Sequence, residues 1–267
     1  MLLSSVIIIL REVLEAALLF SVLIALSKQM GINLRWLVWS LLFGLLGAFT
    51  YGLNINLVSD WFDGVGQEVT NALIQLVIYV MLVVYMLLLS SFTFNQNSMP
   101  HMMKSIISLI MVIIISLAIS REGAEIILYF LSVTHNNSYF LTVLVGMTIG
   151  ASIGISIGLL FYYLLISLKP QPSIFIGLIF LLIVSAGMVS QASLLLIQAD
   201  WLPSQLPLWD SSDFLSEKSV FGQLMYALMG YESTPTPIQA GLYLLGFILP
   251  ISLIFTYRLF HLKTSNK

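Results

Sequence analysis

The sequence predicts an all-α integral membrane protein with seven transmembrane helices, built as an inverted repeat of three plus three spans with a seventh added. Three observations predict it. Of 267 residues, 59% are hydrophobic and 8% charged, against roughly 25% charged in an ordinary soluble domain. Apolar stretches of about 20 residues, the length that crosses a bilayer, recur from one end to the other. One charged pattern, Arg-Glu-x-x-Glu, occurs twice inside such stretches, beginning at Arg11 and at Arg121.

The first stretch, 2–26, has no basic region ahead of its apolar run and no small-residue cleavage site. It reads as a retained span rather than a signal peptide. The others are 36–58, 69–91, 106–131, 141–167, 173–199 and 237–260, joined by short polar connections such as SKQMGINLR and SDWFDGVGQE. The whole chain, 1–267, reads as a single transmembrane domain. One repeat covers about 1–91 and the other about 106–199; an outer loop of 200–236, the seventh helix of 237–260 and a tail of 261–267 complete it.

Lysine and arginine collect on the cytoplasmic side of a membrane protein. Lys28, Arg35, Lys104, Lys169, Arg258, Lys263 and Lys267 fall on one side of these spans and Lys218 alone on the other. The N-terminus is therefore expected outside and the C-terminus inside. Asp60, Asp63, Glu68, Asp200, Asp210, Asp213, Glu217 and Glu232 all fall on the outer side. They either mirror the lysine bias or concentrate cations there by electrostatic attraction.

The two copies, IIILREVLEAALLF and LAISREGAEIILYF, lie 110 residues and three spans apart. Their helices enter the membrane from opposite sides, as in transporters whose sites lie at mid-membrane between inverted repeats. At about 1.5 Å per residue, Glu12 and Glu122 both stand roughly 14–15 Å from the outer ends of their helices. Each central charge costs roughly 2.5–3.5 kcal/mol to insert, so a cluster of three costs on the order of 7–10 kcal/mol before pairing. Residues three and four apart share a helix face. An arginine that clamps one carboxylate thus explains two charges of each motif and leaves an acid over. Four glutamates and two arginines sum to a net charge of −2 when all are ionised. Ionised carboxylates are hard oxygen donors suited to hard cations. The chain has no cysteine and no histidine in the motif spans, and its 12 methionines read as packing residues.

With these residues in view, the chain resembles the oxidase-dependent iron permease family, which includes fungal high-affinity ferric permeases and bacterial EfeU-type permeases. The doubled motif in the first and fourth spans carries the resemblance, with SREGAEIILYF and the outer segment WDSSDFLSEKSVFGQLMYALMGYESTPTPIQ. The family's usual Arg-Glu-Gly-Leu-Glu reads Val13 for Gly in the first copy and Ala124 for Leu in the second. The resemblance implies import of Fe(III) as the transported substrate, with Glu12, Glu15, Glu122 and Glu125 as ligands and no tightly bound cofactor. It also implies that an extracytoplasmic oxidase or peroxidase, or an iron-binding accessory protein, delivers the ion. Arg11 and Arg121 are expected to balance charge, keeping the acids ionised and moderating affinity. Asp60, Asp63, Glu68, Asp213 and Glu217 are the candidate entrance. The expected location is the plasma membrane, multi-pass and bacterial, with lipid and metal as partners and no nucleic acid.

Other features admit two readings each. Gly146, Gly150, Gly154 and Gly158 recur every four residues, either to let a helix pack closely or to form a sliding surface. Glu68, Asn71 and Gln75 either line an entrance or are interfacial and buried polar residues. Ser185, Ser190 and Gln191 read as interhelical hydrogen-bonding partners. His101 and His135 fall in connections, with a capture role open to His135, and Asn136 matches a glycosylation acceptor. A seven-span photoreceptor would need a lysine in its last span, and 237–260 has none. An intramembrane hydrolase would want a histidine pair or nucleophile beside its carboxylates, and neither is found. A proton-coupled carrier of a divalent metal such as Fe(II), Mn(II), Zn(II) or Pb(II) remains the alternative, because the same carboxylates bind protons.

Overall fold

Glycines at every fourth position decide how this bundle is assembled. The computed structural model describes residues 2–93, 100–134, 140–217 and 219–265. Among them run α1 (Leu2–Gln29), α2 (Trp36–Leu53), α3 (Ile55–Ser59), α4 (Gly66–Thr93), α5 (His101–Thr134), α6 (Phe140–Ser167), α7 (Pro170–Gln198), α8 (Val220–Met229) and α9 (Pro237–Ser265). His135, Asn136, Lys218 and Lys267 lie outside the described residues. The chain is a multi-pass membrane protein: α2, α4, α5, α6, α7 and α9 are each long and apolar enough to cross a bilayer. α1 equals α4 and α6 in length, 28 residues, and carries Arg11, Glu12 and Glu15. The expected span 36–58 is shorter as a helix. Regular backbone stops at Asn54 (φ −104°, ψ 16°), and α3 follows as a separate turn.

The most extensive pairings are α1 with α6, α2 with α5 and α4 with α7. The glycine stripe of α6 faces α1. A Cβ added at Gly146 would stand 2.7 Å from Ser5 Cβ, one at Gly150 2.5 Å from the Val6 carbonyl, and one at Gly158 2.9 Å from Ala17 Cβ. Small residues let the two backbones touch, which is how helices gain contact where lipid is as apolar as leucine. Gly150→Val is therefore expected to lower the melting temperature of the detergent-solubilised protein, at an overpacking cost of roughly 1–3 kcal/mol. An unchanged melt would mean that α6 is not seated on α1. α2 meets α5 in the same manner: a Cβ at Gly44 would lie 2.8 Å from Ile119 Cβ, and one at Gly123 2.7 Å from Ala48 Cβ.

Leu19, Leu23 and Leu26 of α1 join Ile78, Leu82 and Met86 of α4, Met111 and Ile114 of α5 and Leu181 of α7 in one buried apolar cluster. Proline, whose missing N–H costs nothing at a first helical position, opens α7 at Pro170 and α9 at Pro237.

The connection 200–236, expected as an outer loop, contains α8, which packs on α1 and α7. Ser219 Oγ caps its start by accepting from Gly222 N–H at 3.0 Å, and Gly230, at φ 65°, ends it in the left-handed conformation. Ala227 is buried against Leu14 and Leu18 of α1. The turn after α8 lies on Gly187, near the middle of α7, where an added Cβ would stand 2.8 Å from Gly230 N. Non-helical backbone at such depth is tolerated when protein buries it. α8 brings Tyr226 down to the first Arg-Glu-x-x-Glu motif.

Candidate metal centre

The two motifs meet where α1 and α5 cross. Glu12, Glu15, Arg121 and Glu122 are each at most 7% exposed, while the Glu125 side chain keeps 25% of its surface and that of Arg11 30%. One carboxylate oxygen each from Glu12, Glu122 and Glu125 lies within 4.8 Å of the other two. A triangle no larger than that has a centre at most about 2.8 Å from every corner (4.8 Å divided by √3). A contraction of about 0.2–0.8 Å reaches the oxygen–cation distances of about 2.0–2.6 Å that hard ions take.

Glu15 is placed differently. Its Oε2 accepts from Arg121 Nη1 at 3.4 Å, and its Oε1 lies 3.8 Å from Arg11 Nε. Arg121 also donates to Glu122 Oε1 and stands 3.8 Å from Glu125 Oε1. Arg11 Nε lies 3.4 Å from Glu12 Oε1, and its guanidinium rests 4.7 Å above the Tyr226 ring, a favourable cation–π placement. The interhelical clamp is thus Arg121 to Glu15. The structure brings three of the four motif glutamates together and ties the fourth to both arginines. Among the described residues, nothing donates a hydrogen bond to the buried Glu12 Oε2 and Glu122 Oε2 when both carboxylates are ionised. A buried polar atom without a partner costs about 1–3 kcal/mol, more when it is charged, so these oxygens are suited to a ligand.

Asn71 of α4 fixes the outer edge of the cluster. It donates to Glu125 Oε1 at 3.3 Å and accepts from Tyr51 at 2.9 Å. One turn deeper, Gln75 donates to Gln191 of α7 at 2.6 Å, and Gln191 donates to the Tyr226 carbonyl at 3.4 Å, tying α4, α7 and α8 together. Ser185 Oγ donates to the Leu182 carbonyl of its own helix.

Above the cluster opens a polar vestibule of about 610 Å³. Arg11, Arg121 and Glu125 form its floor, and Glu68, Asn71, Glu217, Gln223, Tyr226 and Glu232 line its walls. Of the residues expected at an entrance, Glu68 and Glu217 line it; Asp60, Asp63 and Asp213 are exposed outside its lining. Tyr226 and Gln223 were not legible as site residues, because only the docking of α8 brings them there. On the opposite side, Glu12 and Glu122 end a second cavity, of about 630 Å³, whose lining is almost wholly apolar. The carboxylates stand between two cavities of opposite character.

Burial, and then the charge of Glu217, pushes the Glu232 carboxyl up to about 7, with a hydrogen bond from Gln239 acting the other way. A raised acid is neutral below that value and ionised above it, so the vestibule gains a negative charge as pH rises through about 7. The apparent dissociation constant of a divalent probe such as Mn(II) is expected to fall by about twofold between about pH 6 and pH 8, the scale of one screened charge several ångströms away. Glu232→Gln should make that profile shallower; an unaltered slope would assign it to another group.

A model of the iron permease FTR1 family matches residues 2–266. No curated protein and no solved structure gave a match.

Proposed function

The chain belongs to the iron permease FTR1 family, and we propose that it imports ferric ion across the plasma membrane through the carboxylates gathered between α1 and α5. The observation that carries this reading is the Glu12–Glu122–Glu125 triangle, with its oxygens within 4.8 Å of one another. In this account α1 is a seventh span, since each of its three charges has a partner within the bundle: Arg11 rests on Tyr226, Glu15 pairs with Arg121, and Glu12 faces Glu122 and Glu125. The exchanged pairing supports a relation between two inverted halves. The first helix of each half, α1 or α5, packs on the second helix of the other, α6 or α2, and the third helices, α4 and α7, pack on each other. The N-terminus lies outside, so the vestibule faces outward.

An ion drawn in by Glu68, Glu217 and Glu232 meets Glu125 first, the most exposed of the three ligands, and then Glu12 and Glu122. Hard carboxylate oxygens select hard, highly charged cations over soft ones. Glu15 shares the two guanidiniums and so acts through charge, leaving the other three carboxylates to bind. The six groups carry a net charge of −2 when all are ionised, so one Fe(III) brings the loaded cluster to +1 and holds its affinity short of a trap. A separate extracytoplasmic oxidase or peroxidase supplies the ferric ion.

A second reading draws on the same arithmetic. A divalent cation leaves the loaded cluster neutral, which favours proton-coupled carriage of Fe(II), Mn(II), Zn(II) or Pb(II). Competition in proteoliposomes separates the two. Uptake of radioactive iron supplied as a soluble ferric chelate, resisted only weakly by excess Mn(II), Zn(II) or Pb(II), supports the ferric reading. Uptake that needs a reductant, and that those ions suppress, overturns it.

A further inference from the structure

We propose that the apolar cavity beneath the carboxylates is a binding site for one acyl chain of an anionic glycerophospholipid drawn from the surrounding bilayer. The inference goes beyond the transport reading and does not depend on which ion is carried. α1 and α5 form the floor of the cavity, through Ala16, Ala17 and Gly123 among others, and α2 and α6 form its walls. Those two walls do not touch each other among the described residues. The cleft between them therefore opens on the bilayer, and Leu41, Leu45, Ile155 and Leu159 at its rims are each 42–52% exposed. Its polar groups sit at the ends or are satisfied. Glu12 and Glu122 close one end, Ser21 donates to the Ala17 carbonyl at 2.6 Å, and Tyr162 stands at the other end.

Length and charge select the occupant. From Glu12 to Ile24 the cavity follows thirteen residues of α1, a rise of about 18 Å at 1.5 Å per step. One leaflet is half of a hydrocarbon core about 30 Å thick, so the cavity spans a leaflet and stops at mid-membrane. One turn beyond Ile24, Lys28 donates to the Tyr162 hydroxyl at 2.8 Å. An ammonium group is thereby held at the mouth where a phosphate would lie. Arg35 and Lys104 are at the same end of the bundle, Lys104 donating to the Gly31 carbonyl at 3.1 Å. A second copy of the chain fits poorly, because a two-fold interface sets the same surface against itself. Two facing clefts leave a void between them, whereas a flexible hydrocarbon chain fills one. The bound chain would also keep water from reaching Glu12 and Glu122 on this side while the vestibule hydrates Glu125.

The test reconstitutes the full chain in phosphatidylcholine vesicles doped with phosphatidylglycerol that carries a photoreactive diazirine in its acyl chain. After irradiation, peptide mass spectrometry should place label on α2 and α6 around Leu45 and Leu159. The pair Leu45→Trp and Leu159→Trp, which fills the cleft, should remove that label. Lys28→Ala, at an exposed position whose loss leaves the fold intact, should lower labelling by phosphatidylglycerol by about fivefold, the effect of one basic side chain near an anionic headgroup. It should leave labelling by a phosphatidylcholine probe unchanged. Label confined to α9, or label indifferent to both the filling pair and Lys28→Ala, overturns the proposal. So does a disulfide between copies when Leu45→Cys, in this cysteine-free chain, is oxidised in membranes.

Discussion

Glu122→Gln is expected to cut iron uptake by more than about tenfold at matched membrane abundance, the loss of an interaction worth at least about 1.4 kcal/mol. Glutamine keeps the shape and can still accept from Arg121, as Glu122 Oε1 does. What disappears is the charge on an oxygen that faces Glu12 and Glu125. The fold should not suffer, because the amide relieves like-charge crowding and can donate to a neighbouring carboxylate. Lost function with unchanged thermal stability separates a ligand from a structural clamp. Glu15→Gln is the control: Glu15 is bound to Arg121 and lies beside Arg11, so its loss should weaken uptake less than the loss of Glu122. Undiminished uptake by Glu122→Gln, or equal losses in the two variants, would remove the distinction drawn here between binding and charge-balancing glutamates.

Arg121→Ala should have the largest effect on stability. The Arg121 side chain is 4% exposed and ion-paired with Glu15, Glu122 and Glu125. Its removal leaves Glu15 to Arg11, whose side chain is 30% exposed, and leaves Glu122 and Glu125 with no ion pair among the described residues. Breaking a buried ion pair from one side typically costs about 3–5 kcal/mol, a large part of the about 5–15 kcal/mol by which proteins are stable. The variant is expected to lose its monodisperse peak on size exclusion in mild detergent and to accumulate poorly in membranes. Arg121→Lys should fall between the two, since a point charge cannot reach Glu15 and Glu125 together as a planar guanidinium does. A monodisperse, thermally unaltered Arg121→Ala protein would mean that the carboxylates are neutralised in some other way.

Six of the spans were legible because long apolar runs leave little else for the chain to do, and Arg11, Glu12 and Glu15 stood out against the apolar run of the first stretch. The matched depth of the two motifs followed from counting residues, and side-chain packing then joined Glu12 with Glu122 and Glu125. Which glutamate of α1 pairs with Arg121 was not legible. Spacing places Glu12 and Glu15 on one helix face, but which of them Arg121 reaches depends on how α5 crosses α1. The glycines of α6 announced a close contact without naming its partner, since periodicity gives a face and not its neighbour. Gly44, Ala48 and Gly52 on α2 carry the same four-residue signal for the seat on α5. α8 could not be foreseen: ten residues bracketed by Ser219 and Gly230 read as loop, and their depth comes from contact with Gly187.

Import as proposed needs one ion to bridge two helices, α1 and α5, that enter the membrane from opposite sides. Iron-edge anomalous scattering from the iron-loaded protein tests it most directly. The prediction is a single peak bonded to oxygens of Glu12, Glu122 and Glu125, with Glu15 still held by Arg121. A peak confined to the vestibule beside Glu68, Glu217 and Glu232, with nothing between α1 and α5, would contradict it.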